Sequence, residues 1–181
     1  VNSFHAIPSF ALRLANIAQE EGYNPEEDFE LECAIVGAEG WAESTRDRIE
    51  EGLALKAYDN YGLTEACGPG VAVECQEQNG LHVWSDFFYP EIIDPETEEV
   101  LPLGETGELV LTSLTREAVP IVRYKTGDIT KMRLSDCPCG RTGYIIDRIK
   151  GRMDDMHVIK GVNVYPSMIE QEIFDLPYFT D

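Results

Sequence analysis

The chain has 181 residues, room for one ordinary domain or for a domain and part of another. Its 34 acidic and 14 basic residues give a net charge of −20. Such a surface repels phosphate backbones and anionic lipid, so neither nucleic acid nor a membrane is expected as a partner. No apolar run of about 18 residues is present to span a bilayer. The opening Val1-Asn2-Ser3-Phe4-His5 has no basic stretch leading into an apolar one, as an export signal would, and both ends read as cut. Five cysteines, Cys33, Cys67, Cys75, Cys137 and Cys139, form an odd set without a regular framework. That points to reduced thiols in the cytoplasm rather than a secreted disulfide scaffold.

Pro8-Ser9 opens a helical pattern with Phe10, Leu14, Ile17 and Ala18 on one face, and Gly22 suits its stop. Cys33-Ala34-Ile35-Val36, ending at Gly37, reads as a buried strand. Glu43 to Glu51 reads as a polar-faced helix closed by Gly52, and Leu53 to Tyr58 as a second strand. Strand, helix and strand at this spacing predict a βαβ unit and a parallel sheet. From Val71 the pattern changes. Val71–Cys75 and Leu81–Trp84 flank Gln78-Asn79-Gly80, a hairpin signal, and Glu91–Ile93 and Glu99–Leu101 flank the turn Asp94-Pro95-Glu96-Thr97. Glu108–Thr112 and Val119–Tyr124 continue the series, so residues 71–134 read as antiparallel β forming a small distorted barrel. A Cys/Gly/Pro-rich excursion over 135–144 precedes strands at Tyr144–Ile146 and Met156–Ile159, and Ile169, Ile173 and Phe174 recur at helical spacing after Pro166. The expected fold is α/β, α+β overall: a βαβ part over 1–70 and a β-rich part over 71–150. A hinge near Gly151–Asp155 then leads into a second, mobile domain that begins over 151–181.

Tyr61-Gly62-Leu63-Thr64-Glu65 follows a predicted strand, at the carboxyl edge where open α/β sheets bind ligands. Gly62 lets backbone approach a phosphate, the Thr64 hydroxyl can bond a phosphate oxygen, and the Glu65 carboxylate can hold Mg²⁺. A polar turn after a strand is the alternative reading of these five residues. The pentapeptide resembles the signature loop of the adenylate-forming enzymes, which include acyl- and aryl-CoA ligases. Three further stretches are similar to motifs of that superfamily, in the same order along the chain. They are Gly37-Ala38-Glu39-Gly40-Trp41, then Arg123-Tyr124-Lys125-Thr126-Gly127-Asp128, then Gly151-Arg152-Met153-Asp154-Asp155 followed by Lys160 to Pro166. The surroundings, with Glu74-Cys75, Trp84, Tyr89–Ile93 and Gly161-Val162-Asn163, resemble the phenylacetate–CoA ligase branch.

The resemblance implies roles. Ala38, Glu39 and Gly40 wall one face of adenine and Tyr61 stacks on the other. Asp59 lies where a backbone carbonyl meets the adenine amino group, and Thr64 contacts the α-phosphate. Glu65 ligates Mg²⁺, Asp128 binds the ribose hydroxyls and Arg152 reaches the nucleotide sugar. Asp154 is the hinge, and Gly161 lines the tunnel for coenzyme A. It also implies that residues 1–150 form the C-terminal part of a large AMP-binding domain. The implied reaction joins an aryl acid to coenzyme A through an acyl-adenylate formed from ATP, with pyrophosphate and AMP released. The Gly/Ser/Thr-rich phosphate loop and the late lysine of the superfamily are absent, so this stretch alone is expected not to adenylate. Two alternatives stay open: an acid-adenylating enzyme that hands its acyl group to a protein thiol, and a noncatalytic zinc-stabilised interaction module. A homodimer is compatible with the sequence.

Cys137-Pro138-Cys139-Gly140 reads as a metal knuckle, and Cys75 and His82 flank a predicted hairpin turn. Together they make a Cys₃His set suited to a closed tetrahedral zinc site that would pin the excursion onto the hairpin. The alternative is four unconnected residues, the thiols packed as small hydrophobes.

Overall fold

The computed structural model describes residues 2–155, 157–159 and 162–174. The chain opens with β1 (Ser3–Ala6), α1 (Pro8–Glu20), the single-turn α2 (Pro25–Asp28), β2 (Cys33–Gly37), α3 (Glu43–Leu53) and β3 (Lys56–Leu63). β1, β2 and β3 pair in parallel, Ser3 opposite Cys33 and Cys33 opposite Lys56. Two βαβ units therefore stand where the sequence pattern indicates one. β1 escapes pattern reading because it is four residues long and alternates only between exposed and half-buried positions.

Helix α1 buries Ala11, Ala15 and Ala18, whereas Phe10 and Ile17 of the expected face are exposed. Close approach of two helices decides this. A Cβ at Gly52 of α3 would stand 2.6 Å from the Ala15 Cβ, so the face with the smallest side chains is the one that fits. For the same reason Gly52 is a packing residue within α3 and not its stop. The helix ends at Ala54, in the left-handed region at φ 51°, and β3 starts only at Lys56. Beneath these helices lie Ala34, Val36 and Ala57 with Ile49, Leu53 and Trp41.

β3 is the joint of the molecule. One edge pairs in parallel with β2; the other pairs antiparallel with β4 (Gly68–Glu74), Asn60 opposite Val73 and Leu63 opposite Gly68. The sheet continues through β5 (Leu81–Val83), β6 (Phe88–Ile93), β7 (Thr106–Ser113), β8 (Tyr124–Leu134) and β9 (Tyr144–Ile146), in the spatial order β1-β2-β3-β4-β5-β9-β8-β7-β6. This path does not close into a barrel among the described residues. It bends around one core in which Val71, Leu81, Leu109, Leu111 and Ile146 meet. The β4–β5 hairpin falls where expected, and Asp94 organises the next turn by accepting the N–H groups of Glu96 and Thr97 at 2.8 and 2.9 Å. Val119 to Arg123 is not a strand. Val119 and Arg123 take left-handed φ values of 51° and 46°, and Ile121 is pinned by a 3.1 Å hydrogen bond from its N–H to the Ser113 hydroxyl.

After β9 the chain runs back over the sheet. β10 (Gly151–Arg152) pairs with β8, Arg152 opposite Asp128. A 3₁₀ turn, Met153–Asp155, leads to the hairpin β11 (His157–Ile159) and β12 (Val162–Val164), and then to α4 (Pro166–Phe174). The Tyr165 ring lies on Gly151, where a Cβ would be 2.3 Å from its Cδ1. Among the described residues no helix is long and apolar enough to cross a membrane.

Candidate functional site

A cleft of about 310 Å³ opens beyond the carboxyl ends of β2 and β3, lined by residues 38–41, 59–63 and 148–152 together with Asp128. Its first wall exists because Gly37 and Ala38 let β2 turn away sharply. A Cβ at Gly37 would fall 2.1 Å from the Asn60 carbonyl oxygen, and Ala38 is left-handed at φ 70°. The Glu39 carboxylate points back to α1, accepting the Ser9 N–H at 3.2 Å and its hydroxyl at 3.1 Å. The Glu39 carboxylate is thus engaged by α1, and Gly40 beside it carries no side chain.

On the second wall the Tyr61 phenol donates a 2.6 Å hydrogen bond to Asp128 Oδ2, joining residues far apart in the chain. Both are buried. Burial, and then the charge of Asp128, pushes the Tyr61 phenol well above its usual value. Burial also lifts the Asp128 carboxyl above the ordinary range, against the opposing pull of the Tyr61 hydrogen bond and Arg152. Arg152 Nη1 lies 3.5 Å from Asp128 Oδ1, and its Nη2 is 3.6 Å from Asp154 on the exposed 3₁₀ turn. The predicted residues Tyr61, Asp128, Arg152 and Asp154 thus form one connected chain.

Asp59 is held from both sides. Its N–H donates to Glu74 Oε2 at 2.7 Å, and its carboxylate accepts Arg148 Nε at 3.0 Å. Arg148 also bonds Glu43 Oε2 at 2.5 Å and lies over the Trp41 ring, 4.4 Å from its centroid. Behind this, Arg46 and Glu74 make a fully buried bidentate pair with both bonds at 2.9 Å. Arg148 and Lys150 are lining residues that the motifs did not point to. A signal was present: Arg148, Lys150 and Arg152 alternate, which puts three cations on one side of an extended segment in a strongly acidic chain.

Thr64 and Glu65 are exposed on the turn after β3 and are not among the cleft-lining residues. The turn is fixed by Arg116, which donates to the carbonyl oxygens of Glu65 and, at 2.5 Å, of Ala66. On its far side is a second, mainly apolar depression lined by Ala66, Cys67, Trp84, Phe87 and Phe88. Gly62 lines the cleft, yet its first duty is steric. A Cβ there would lie 1.7 Å from the Gly68 carbonyl oxygen, so only glycine permits the β3–β4 crossing. Gly161 lies outside the described residues.

Away from the cleft, Cys75, His82, Cys137 and Cys139 come together, their donor atoms all within 4.8 Å of one another. Cys75 Sγ is 3.6 Å from Cys137 Sγ, and Cys139 Sγ is 3.5 Å from His82 Nε2.

Parallel strands with a polar cleft at their carboxyl ends, continued by an antiparallel sheet, define a mixed α/β ligand-binding architecture. Residues 1–115 match the family model of AMP-binding enzymes. The chain belongs to the AMP-binding enzyme family, and its mixed α/β fold is that of the adenylate-forming enzymes. It is 48% identical over 171 residues to the phenylacetate–coenzyme A ligase of Thermus thermophilus, covering 94% of this chain and 38% of that protein. Among solved structures, 2-hydroxyisobutyryl-CoA ligase in the postadenylation state with 2-HIB-AMP superposes with a TM-score of 0.89 at 35% identity, over 97% of this chain and 38% of that one. The same ligase with 2-HIB-AMP and CoA in the thioesterification state gives 0.77 at 36% identity, over 97% and 37%. The chain therefore spans well under half the length of the relatives it matches.

Proposed function

We propose that this protein ligates an aryl acid, phenylacetate, to coenzyme A in the cytoplasm, through an acyl-adenylate made from ATP. The observation that carries the reading is the Tyr61–Asp128 hydrogen bond at the cleft. It brings an aromatic plane and a carboxylate to one place from two separate motifs. The likeness to the Thermus thermophilus ligase supports the choice of acid and acceptor. Family membership argues against a noncatalytic zinc module.

In this reading adenine lies between the backbone of Ala38, Glu39 and Gly40 and the Tyr61 ring, beside Asp59. Asp128 accepts the ribose hydroxyls, as a carboxylate does well, and Arg152 moves from Asp128 to the sugar. Arg148 and Arg152 offset the carboxylates of Asp59, Glu43, Asp128 and Asp154, which would otherwise repel a nucleotide. Thr64 meets the α-phosphate at the lip of the cleft. The Glu65 carboxylate, exposed and without a partner among the described residues, fits a hydrated Mg²⁺, which neutralises phosphate charge when bound. The small residues Ala66 to Gly70 and the apolar depression behind them suit an aromatic ring. Residues 1–150 belong to the large domain, and the stretch that follows begins the small one, turning about Asp154. The overlap is better with the postadenylation state than with the thioesterification state, a difference that supports a turn at this hinge.

An acid panel with the full-length protein, ATP and Mg²⁺ tests the proposal. Pyrophosphate release should depend on acid and be fastest with phenylacetate, and thioester should form only when coenzyme A is added. Acid-independent behaviour, or transfer to a carrier protein but not to coenzyme A, would refute it.

A further inference from the structure

We propose that Cys75, His82, Cys137 and Cys139 bind a structural zinc ion that fastens the 135–143 loop to the β4–β5 hairpin. The site lies outside the cleft, and its ligands come from three separate places. Cys75 follows the last residue of β4, His82 is the middle residue of β5, and the two remaining thiols belong to the loop between β8 and β9.

Two of the donor distances match a zinc site. A tetrahedral zinc with Zn–S about 2.3 Å and Zn–N about 2.0 Å sets two sulfurs roughly 3.8 Å apart and a sulfur and a nitrogen roughly 3.5 Å apart. The observed pairs are 3.6 Å for Cys75 and Cys137 and 3.5 Å for Cys139 and His82. A disulfide needs sulfurs about 2.05 Å apart, and all five cysteines are free. Thiols packed only as hydrophobes have no reason to converge on an imidazole. The His82 ring is buried, and its Nδ1 has no hydrogen-bond partner among the described residues. Its polar contact is the Cys139 sulfur.

The backbone is arranged for the same purpose. Gly140, left-handed at φ 82°, donates its N–H to the Cys137 carbonyl at 3.1 Å, closing a tight turn around the two loop sulfurs. The Arg141 N–H points at Cys139 Sγ from 3.5 Å, the kind of donor that supports a metal-bound thiolate. Three thiolates and a neutral imidazole around Zn²⁺ leave one negative charge, and Arg133 and Arg141 are the cations beside His82. With all four positions filled by protein, no place remains for a reacting water, so the ion is structural.

Its mechanical effect reaches the cleft. β5 and β9 pair beside the site, His82 opposite Ile145. Cys75 follows Glu74, which holds Arg46 and the Asp59 N–H, and β9 leads within two residues to Arg148. The ion thus anchors both strands that position the Asp59 pair.

The test is metal analysis of the wild-type protein after dialysis, with cobalt(II) exchange read by absorption. About one zinc per chain is expected, and cobalt should give tetrahedral d–d bands with thiolate charge transfer. C139S should lose both signals and C33S, altering a cysteine outside the set, should keep both. Should C139S fail to fold, the wild-type cobalt spectrum decides. Metal-free wild-type protein with five free thiols, a Cys75–Cys137 disulfide, an octahedral cobalt spectrum, or zinc retained in full by folded C139S would each overturn the proposal.

Discussion

The Cys/His cluster and the cleft share strands but are built by opposite means. The cluster gathers four donors, three thiols and an imidazole, whose ligand atoms all lie within 4.8 Å of one another. In the cleft the charges are already matched: Asp59 with Arg148, Asp128 with Tyr61 and Arg152, and Arg46 with Glu74 behind them. On the zinc proposal, the first arrangement needs an ion to complete it. The second is complete before any ligand arrives, and a ligand must exchange with pairs that already exist. Metal should therefore act strongly on stability, and nucleotide weakly.

The largest effect tests whether the cleft is self-neutralised. Arg46→Met leaves Glu74 buried without its partner, and removing one half of a buried pair costs about 3–5 kcal/mol. Both side chains are essentially inaccessible. Urea unfolding should show the loss; a change under about 1 kcal/mol would mean that water replaces the guanidinium, and the contrast with the cluster would weaken. Next comes the ion. With free zinc at about 100 times its dissociation constant, linkage predicts roughly 2.7 kcal/mol of stabilisation that a chelator removes. A melting temperature unmoved by chelation would remove the distinction between the two regions.

Tyr61→Phe is third. It strips one hydrogen bond from Asp128, a loss of about 1–3 kcal/mol for a buried acceptor left unpaired. Asp128 already sits above the ordinary carboxylate value, chiefly through burial. A raised carboxyl contributes stability that is fully present below its unfolded value and is lost as pH rises through the folded value. The substitution removes an interaction that favours the ionised form, so the Asp128 titration, followed by carboxyl NMR, should move upward. A downward shift would show that the phenol does not donate to it. The smallest effect concerns Glu50. It accepts Lys56 Nζ at 2.6 Å, the Ala57 N–H at 3.0 Å and Gln78 Nε2 at 2.7 Å, tying α3 to the β4–β5 turn. Burial opposes ionisation of Glu50, but these hydrogen bonds outweigh it and lower its value. Its contribution is present above the unfolded value and fades as pH falls through the folded one. Glu50→Gln should cost under about 1 kcal/mol near neutrality, and less in acid. An equal cost at low pH would assign the effect to packing.

The cluster was legible because cysteine and histidine carry their chemistry in their identity; two short spacings sufficed to group them. Tyr61 and Asp128 were legible through motifs, and the fold unites them. Arg148 was not, since its partners Asp59, Glu43 and Trp41 stand about a hundred residues earlier, and nothing local tells a structural arginine from a surface one. Thr64 and Glu65 were read as facing the ligand, and the fold sets both exposed on the turn after β3. Helix periodicity misplaced the buried face of α1 because it weights large side chains, and the contact with α3 selects small ones. The strand expected at Val119–Tyr124 failed on backbone angles that residue type does not announce.

β3 belongs to both halves of the sheet. Cleaving the polypeptide near residue 70 would give each product an unsatisfied row of amides and carbonyls, the kind of open edge that recruits foreign strands. The parallel and antiparallel stretches are thus regions of a single seamless object. Any attempt to express one without its neighbour should yield aggregate in place of a smaller soluble body.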